Sequence, residues 1–131
     1  MMKNVCLLAC GLCLVGAAAF GVAYAQDAAP EEVTPKHQIK DVMQKAHRDG
    51  LLKKVAGGEA SDAEQKELLD LYVSLYECEP PMGDEAAWKG KTSLILAAVG
   101  KVVVGREGAT AELTKAANCA ACHREHRPPQ E

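Results

Sequence analysis

Apolar residues recur at helical spacing in successive stretches of the chain, and turn-forming residues separate these stretches. The recurring positions in the first three stretches are Ile39-Val42-Met43-Ala46, Leu68-Leu71-Tyr72-Leu75 and Trp88-Thr92-Ile95-Val99. The run Val102-Val103-Val104 is β-branched and by itself favours a strand. The helical spacing persists from Trp88 into this run, however, and the chain shows no strand–turn–strand pattern. We therefore predict an all-α fold.

Helix start and stop signals divide this pattern into four helices. The predicted N-caps are Thr34 (with Pro35 at the first helical position), Ser61 (which forms a capping box with Glu64) and Asp84. The first helix is expected to continue through Val55, and the fourth to run from about residue 109 to residue 127. Short loops between consecutive helices predict an up-down four-helix bundle over residues 34–131.

The N-terminal segment has the pattern of an export signal. Lys3 is its one charge, and the sequence from Val5 to Ala25 is uncharged and ends in Ala23-Tyr24-Ala25. Small residues at positions 23 and 25 predict a signal peptide, residues 1–25, and a periplasmic protein. The alternatives are an uncleaved membrane anchor and a lipoprotein box ending at Cys10, although few apolar residues precede Cys10. Residues 26–33 are polar and predict a flexible lead-in.

Composition limits what the exported part can be. The 131 residues allow one domain, and 15 basic against 18 acidic residues give no cationic face for nucleic acid. Removal of residues 1–25 leaves three cysteines, Cys78, Cys119 and Cys122, in a compartment where thiols oxidise. The remaining aromatic residues are Tyr72, Tyr76 and Trp88. A core of small aliphatic side chains has little bulk, and a large flat cofactor would fill it.

The sequence Cys119-Ala120-Ala121-Cys122-His123 has the spacing of a covalent haem-attachment site. Positions i and i+3 of a helix face the same way, so both sulfurs can reach neighbouring vinyl groups of one porphyrin. The following histidine can then coordinate the iron as its proximal ligand. The pentad predicts one haem c per chain. The alternatives are a zinc site built from Cys119, Cys122 and His126, with His123 as a further donor, and a cysteine pair that forms a plain disulfide or is redox-active.

With the pentad on the last of four helices, the chain resembles the class II c-type cytochromes, the cytochrome c′ family. The resemblance implies a four-helix bundle around the haem and makes a homodimer through the first two helices plausible. In that family an aromatic and a basic residue follow the pentad histidine at the third and fourth positions. Arg127 matches the basic residue and can meet a haem propionate, whereas His126 departs from the aromatic one.

The resemblance places the residue on the distal haem face near Ala46, which cannot bind iron. Met43 and His47 flank it, one turn apart, and each is a candidate distal iron ligand. The iron could instead be open on this face, or be bound there by Met82 or His126. His37 points away from the apolar stripe and is expected to be solvated or a capping residue.

Two functions follow from these arrangements of the distal face. A six-coordinate iron would make the protein an electron carrier that meets redox partner proteins through small interfaces. An open distal face would make it a cytochrome c′-like binder of NO or CO. We predict that the protein is an electron carrier rather than a gas-binding protein. We also predict that it is not an enzyme, because only His47 offers an acid–base group on the distal face.

Cys78 is expected to be a small buried hydrophobe or to link two chains.

Overall fold

A computed structural model describes residues 33–129, and their regular structure is entirely helical. The elements are α1 (Ile39–Val42), a π-helical segment (Met43–Arg48), α2 (Leu51–Ala56), α3 (Asp62–Glu77), α4 (Glu85–Val103), α5 (Ala109–Ala116) and α6 (Cys119–His126). The all-α prediction is confirmed, and Val102 and Val103 end a helix rather than forming a strand. The predicted signal peptide and residues 26–32 of the predicted lead-in lie outside the described residues.

Two of the predicted N-caps are present. The Ser61 hydroxyl accepts a hydrogen bond from the Glu64 amide at 3.3 Å, and the Glu64 carboxylate accepts one from the Ser61 amide at 2.9 Å. The Asp84 carboxylate accepts a hydrogen bond from the Ala87 amide at 2.7 Å. Both caps are made within three residues of chain, so they form as the local sequence predicts.

The first helix begins later than predicted. Thr34 caps nothing, and α1 starts at Ile39 after Gln38, which makes no side-chain cap. Residues 36 and 37 instead contact α3, where the Lys36 Nζ and His37 Nε2 atoms lie 2.6 and 3.1 Å from Asp70 Oδ2. This ion pair tethers residues 36 and 37 to α3, and His37 is half-buried rather than solvated.

The predicted first helix is also interrupted. Residues 43–48 are π-helical, and the Asp49 amide donates to the Gln44 carbonyl at 2.9 Å, five residues back. Gly50 then adopts a φ of +84°, and α2 restarts after it. Glycine adopts this left-handed conformation without steric cost. The single predicted helix is thus two helices with a π-helical segment between them.

The predicted fourth helix is divided as well. Residues 117 and 118 are non-helical, and the Asn118 side chain accepts a hydrogen bond from the Ala121 amide at 3.0 Å. Asn118 therefore caps α6, which begins at Cys119. Asparagine is a preferred N-cap residue, so the sequence carried a signal for this break that the apolar spacing obscured.

The hydrophobic core lies mainly between α3 and α4. These helices form the largest contact, while α1 and α2 cover α3, and α5 packs on α4. The Trp88 indole N–H donates to the Cys78 carbonyl at 2.9 Å, which fixes the start of α4 against the end of α3. The buried apolar side chains include Val42, Val55, Leu68, Leu71, Tyr72, Leu75, Trp88, Val99 and Leu113. Among residues 33–129, no helix is both long and apolar enough to cross a membrane.

Candidate haem-binding site

The pentad occupies the first turns of α6. Cys119 is exposed, Cys122 is half-buried, and both are free thiols, as is Cys78. Burial raises the pKa of the Cys122 thiol, and the positive charge of Lys91 partly opposes this effect. Because Asn118 caps the helix directly before Cys119, the two cysteines lie three residues apart on one face of a regular α-helix. This is the arrangement that the predicted thioether chemistry requires.

A cleft of about 460 Å³ lies beside the pentad. Its walls include most of the candidate site residues named from the sequence for the cofactor and its iron: Met43, His47, Cys119, Cys122, His123, His126 and Arg127. Met43 and His47 come from the π-helical segment, near the start of the described chain. The other residues come from α6 and the residue after it, near its end. The volume lies within the range of about 300–1,000 Å³ that small-molecule and cofactor sites occupy.

Ala46, near which the family resemblance sets the distal haem face, lies apart from its two neighbours in this site. Its side chain is fully buried in the core and does not line the cleft, whereas Met43 and His47 on either side of it do. All three lie in the π-helical segment, whose wider turn departs from the α-helical register that the sequence predicts. The residues that face the cleft from this wall are therefore Met43 and His47.

His47 is held in a partly buried, low-polarity position. Its Nε2 atom lies 3.4 Å from the Tyr72 hydroxyl, and the two rings meet edge to face with centroids 6.2 Å apart. Burial lowers the pKa of His47, and the charge of His123 lowers it further. His47 is thus favoured as a neutral imidazole, which is the form that binds a metal ion.

Tyr72 is a site residue that sequence reasoning missed. Its side chain is buried, and burial together with the nearby Cys119 raises its pKa above the usual value for tyrosine. The apolar spacing of α3 predicts that Tyr72 lies in the core, and its ring is buried there. Nothing in the sequence indicates that its hydroxyl reaches His47, because the two residues are 25 positions apart.

A second cavity, of about 270 Å³, adjoins the first near α2 and α5. His47 and Ala117 line both cavities, and Leu52, Ala56 and Thr114 complete much of the second one. Ala117 lies at the break between α5 and α6. His47 therefore stands between the cleft and a second, mainly apolar space.

His126 takes the place of the aromatic residue expected from the family resemblance. Its ring packs edge to face on Trp88 with centroids 5.3 Å apart, and its Nδ1 lies 3.0 Å from the Met82 carbonyl. Its Nε2 atom is buried and has no hydrogen-bond partner within the described chain. His126 lines the cleft from the same helix as His123, and the exposed Met82 does not line it. Met43 and His47 line the cleft from a different element, the π-helical segment.

Cationic side chains surround the cleft. Lys40, Arg48, Lys91 and Arg127 all contribute to its lining. The Lys91 Nζ lies 2.5 Å from Glu125 Oε2, joins α4 to α6 and lowers the pKa of that carboxyl. An apolar cleft with cations at its walls suits a flat hydrophobic ligand that carries carboxylates.

Over residues 33–129, no group of three or more Cys, His, Asp or Glu side chains is arranged to hold a bare metal ion.

Cys78 is buried away from this cleft. Its thiol donates to the His37 carbonyl at a distance of 3.6 Å, and burial raises its pKa. This environment is that of the small buried hydrophobe rather than of a surface thiol.

Comparison of the chain with protein-family models, with curated proteins and with solved structures finds no match. The case for a function therefore depends on the cleft and on the residues that line it.

Proposed function

We propose that this protein is a periplasmic c-type cytochrome that carries electrons. It binds one haem through thioether bonds to Cys119 and Cys122, with His123 as the proximal iron ligand. The observation that supports the proposal is the cleft, because the three reactive residues of the pentad line it together with two potential iron ligands from a distant part of the chain, Met43 and His47.

The residues present fit a haem. The donor set of two thiols and an adjacent imidazole matches the chemistry of covalent attachment. Apolar side chains such as Ile39 and Leu75 line the cleft and would exclude water from the porphyrin faces. Arg127, with Lys40, Arg48 and Lys91, would bind the propionates by charge-assisted hydrogen bonds. When bound, the haem supplies a one-electron Fe(III)/Fe(II) couple.

The architecture that we propose is a four-helix bundle of the class II cytochrome type. In this arrangement α1, the π-helical segment and α2 together form the first helix, α3 and α4 form the second and third, and α5 with α6 forms the fourth. The contacts of α3 with α1, α2 and α4, and of α4 with α5, support this order. The haem would then lie between the first and fourth helices.

The remaining features are part of the same proposal. Residues 1–25 direct export, so the haem is attached outside the cytoplasm. The excess of acidic residues favours redox partner proteins with basic patches, and two chains pair as a homodimer. The protein transfers electrons and does not itself catalyse a reaction.

Reversible binding of a diatomic gas, NO or CO, is the second candidate. The contact between His47 and Tyr72 favours it, because a histidine held by another residue is less available to the iron. The adjacent space of about 270 Å³ beside His47, which Leu52 and Ala56 line together with Lys53 and Thr114, offers room for a small uncharged molecule.

Absorption spectroscopy of the whole chain, co-expressed with haem c maturation machinery, tests the proposal. We expect a red protein that keeps its haem under denaturing conditions, and loses it when Cys119 and Cys122 are both replaced by alanine. Cys78→Ala is the matched control, since it removes a cysteine outside the cleft and should leave the haem attached. A colourless protein would refute the proposal.

The same preparation separates the two functions. Sharp, split bands on reduction that carbon monoxide does not move indicate two protein ligands and an electron carrier. Broad high-spin bands that shift with carbon monoxide indicate an accessible iron and a gas-binding protein.

A further inference from the structure

The Tyr72 hydroxyl and the Nε2 atom of His47 form a contact that the proposed electron carrier does not explain. Tyr72 lies on α3 and is 1% exposed, so packing fixes the position of its hydroxyl. His47 comes from the π-helical segment and lines the cleft. The 3.4 Å separation joins α3 to the π-helical segment at the residue through which that segment lines the cleft.

This contact occupies Nε2 in either tautomer of a neutral imidazole. If Nε2 carries the proton, it donates to the phenolic oxygen and has no lone pair for a metal. If Nδ1 carries the proton, the Nε2 lone pair accepts the phenolic O–H instead. Coordination of iron through Nε2 therefore requires that the contact with Tyr72 be broken. The separation is longer than the usual optimum, so the contact is weak enough to exchange.

We propose that Tyr72 is a positioning residue that competes with the iron for Nε2 of His47. This inference rests on the proposed haem site. The competition keeps His47 in the wall between the two cavities and makes its bond to iron weak and displaceable. This competition favours the second candidate function, because a diatomic ligand could then take the place of His47 at the iron.

Tyr72→Phe tests this role because it removes the hydroxyl and keeps the ring. In the haem-loaded protein, we expect the ratio of low-spin to high-spin ferric haem to rise about three- to tenfold, the equivalent of one neutral hydrogen bond. The apparent affinity of the ferrous protein for carbon monoxide should fall by a similar factor. In a Tyr72→Phe/His47→Ala double variant, both changes should disappear.

Tyr76→Phe is the matched control. Tyr76 is on the same helix, one turn later, but its side chain is 38% exposed. The same loss of a hydroxyl there should leave the spectra unchanged. If Tyr72→Phe gives the wild-type spectra, or if its effect persists without His47, the proposal is wrong.

A second readout needs no haem. In the Cys119→Ala/Cys122→Ala protein, the ¹⁵N chemical shifts of the His47 ring should change on Tyr72→Phe and stay constant on Tyr76→Phe. Unchanged shifts would overturn the inferred contact. If this change in chemical shift is seen, but the protein with both cysteines never attaches haem, the proposed function is wrong and the contact between Tyr72 and His47 stands. The two failures are therefore distinguishable.

Discussion

Gly83 lies where the loop before α4 passes the end of α6. A Cβ atom at this position would lie 2.6 Å from the Glu125 carbonyl oxygen and 2.9 Å from His126 Nδ1. Gly83 also has a φ of +85°, in the left-handed region. Two separate features therefore favour glycine at position 83: the left-handed backbone conformation and the close approach of α6.

We predict that Gly83→Ala destabilises the protein more than Gly58→Ala. Gly58 has a φ of +74° but nothing within 4 Å of a Cβ, so it isolates the conformational cost, about 1–2 kcal/mol. The contacts at Gly83 should add a further 1–3 kcal/mol or so. Urea unfolding of the two variants measures the difference. Equal losses would show that the loop and α6 separate without cost.

His126 shows how far a single residue can be interpreted from the sequence. The sequence identifies it as a departure from the aromatic residue of the family it resembles. The structure shows that its ring packs on Trp88 and its Nδ1 meets the Met82 carbonyl. An imidazole can replace an aromatic ring in packing, and only the neighbours reveal that it does so.

The capping box at the start of α3 contains a carboxyl group, Glu64, whose contribution to stability should depend on pH. Hydrogen bonds from Lys54, and then from the amide and hydroxyl of Ser61, lower the pKa of Glu64 from 4.5 to about 2. The contact with Lys54 also joins α2 to α3, with 2.5 Å between Lys54 Nζ and Glu64 Oε1.

A carboxyl whose pKa is lowered on folding stabilises the protein fully above its unfolded pKa. That contribution is lost as the pH falls through the folded pKa. We therefore predict that Glu64→Gln is less stable than the wild type near neutral pH, and that the difference shrinks between pH 4.5 and about 2. Thermal unfolding across this range measures it. The control is Glu67→Gln, on the exposed face of α3 outside the capping box. A pH-independent difference would contradict the assignment.

Helices that begin at Ser61 and Asp84 were predicted well, whereas the start of the first helix and the breaks within the first and fourth helices were not. Ser61 and Asp84 begin α3 and α4 as predicted. Thr34 does not cap the first helix, which begins at Ile39, and the intervening residues Lys36 and His37 contact Asp70 on α3. Sequence periodicity and capping patterns involve residues a few positions apart, whereas the contacts with Asp70 join residues more than 30 positions apart.

At the scale of the whole molecule, the cleft indicates how the proposed haem would stabilise the fold. Among the described residues, the buried apolar side chains other than Tyr72 and Trp88 are non-aromatic, so the core contains little aromatic bulk. A haem attached to Cys119 and Cys122 is present in both the folded and the unfolded chain. Its contribution to stability comes from burial of its faces in the cleft.

We predict that the haem-loaded protein is more stable than the same chain produced without maturation machinery. Burial of about 100 Å² of apolar porphyrin surface contributes ~2.5 kcal/mol, so the free energy of unfolding should rise by at least that amount. Urea unfolding of the two preparations, which share one sequence, measures the gain. Equal stability would place the haem outside the cleft.

The sequence by itself determined the helical fold, the caps of α3 and α4, the pentad and the residues proposed to serve it, because these depend on spacing within a few turns of chain. Tertiary structure decided the rest. It alone brings Met43 and His47 to the cleft beside Cys119 and Cys122, buries Ala46 and sets the Tyr72 hydroxyl against His47. These contacts join residues far apart in the chain, and their geometry follows from the packing of whole helices, which local periodicity does not specify.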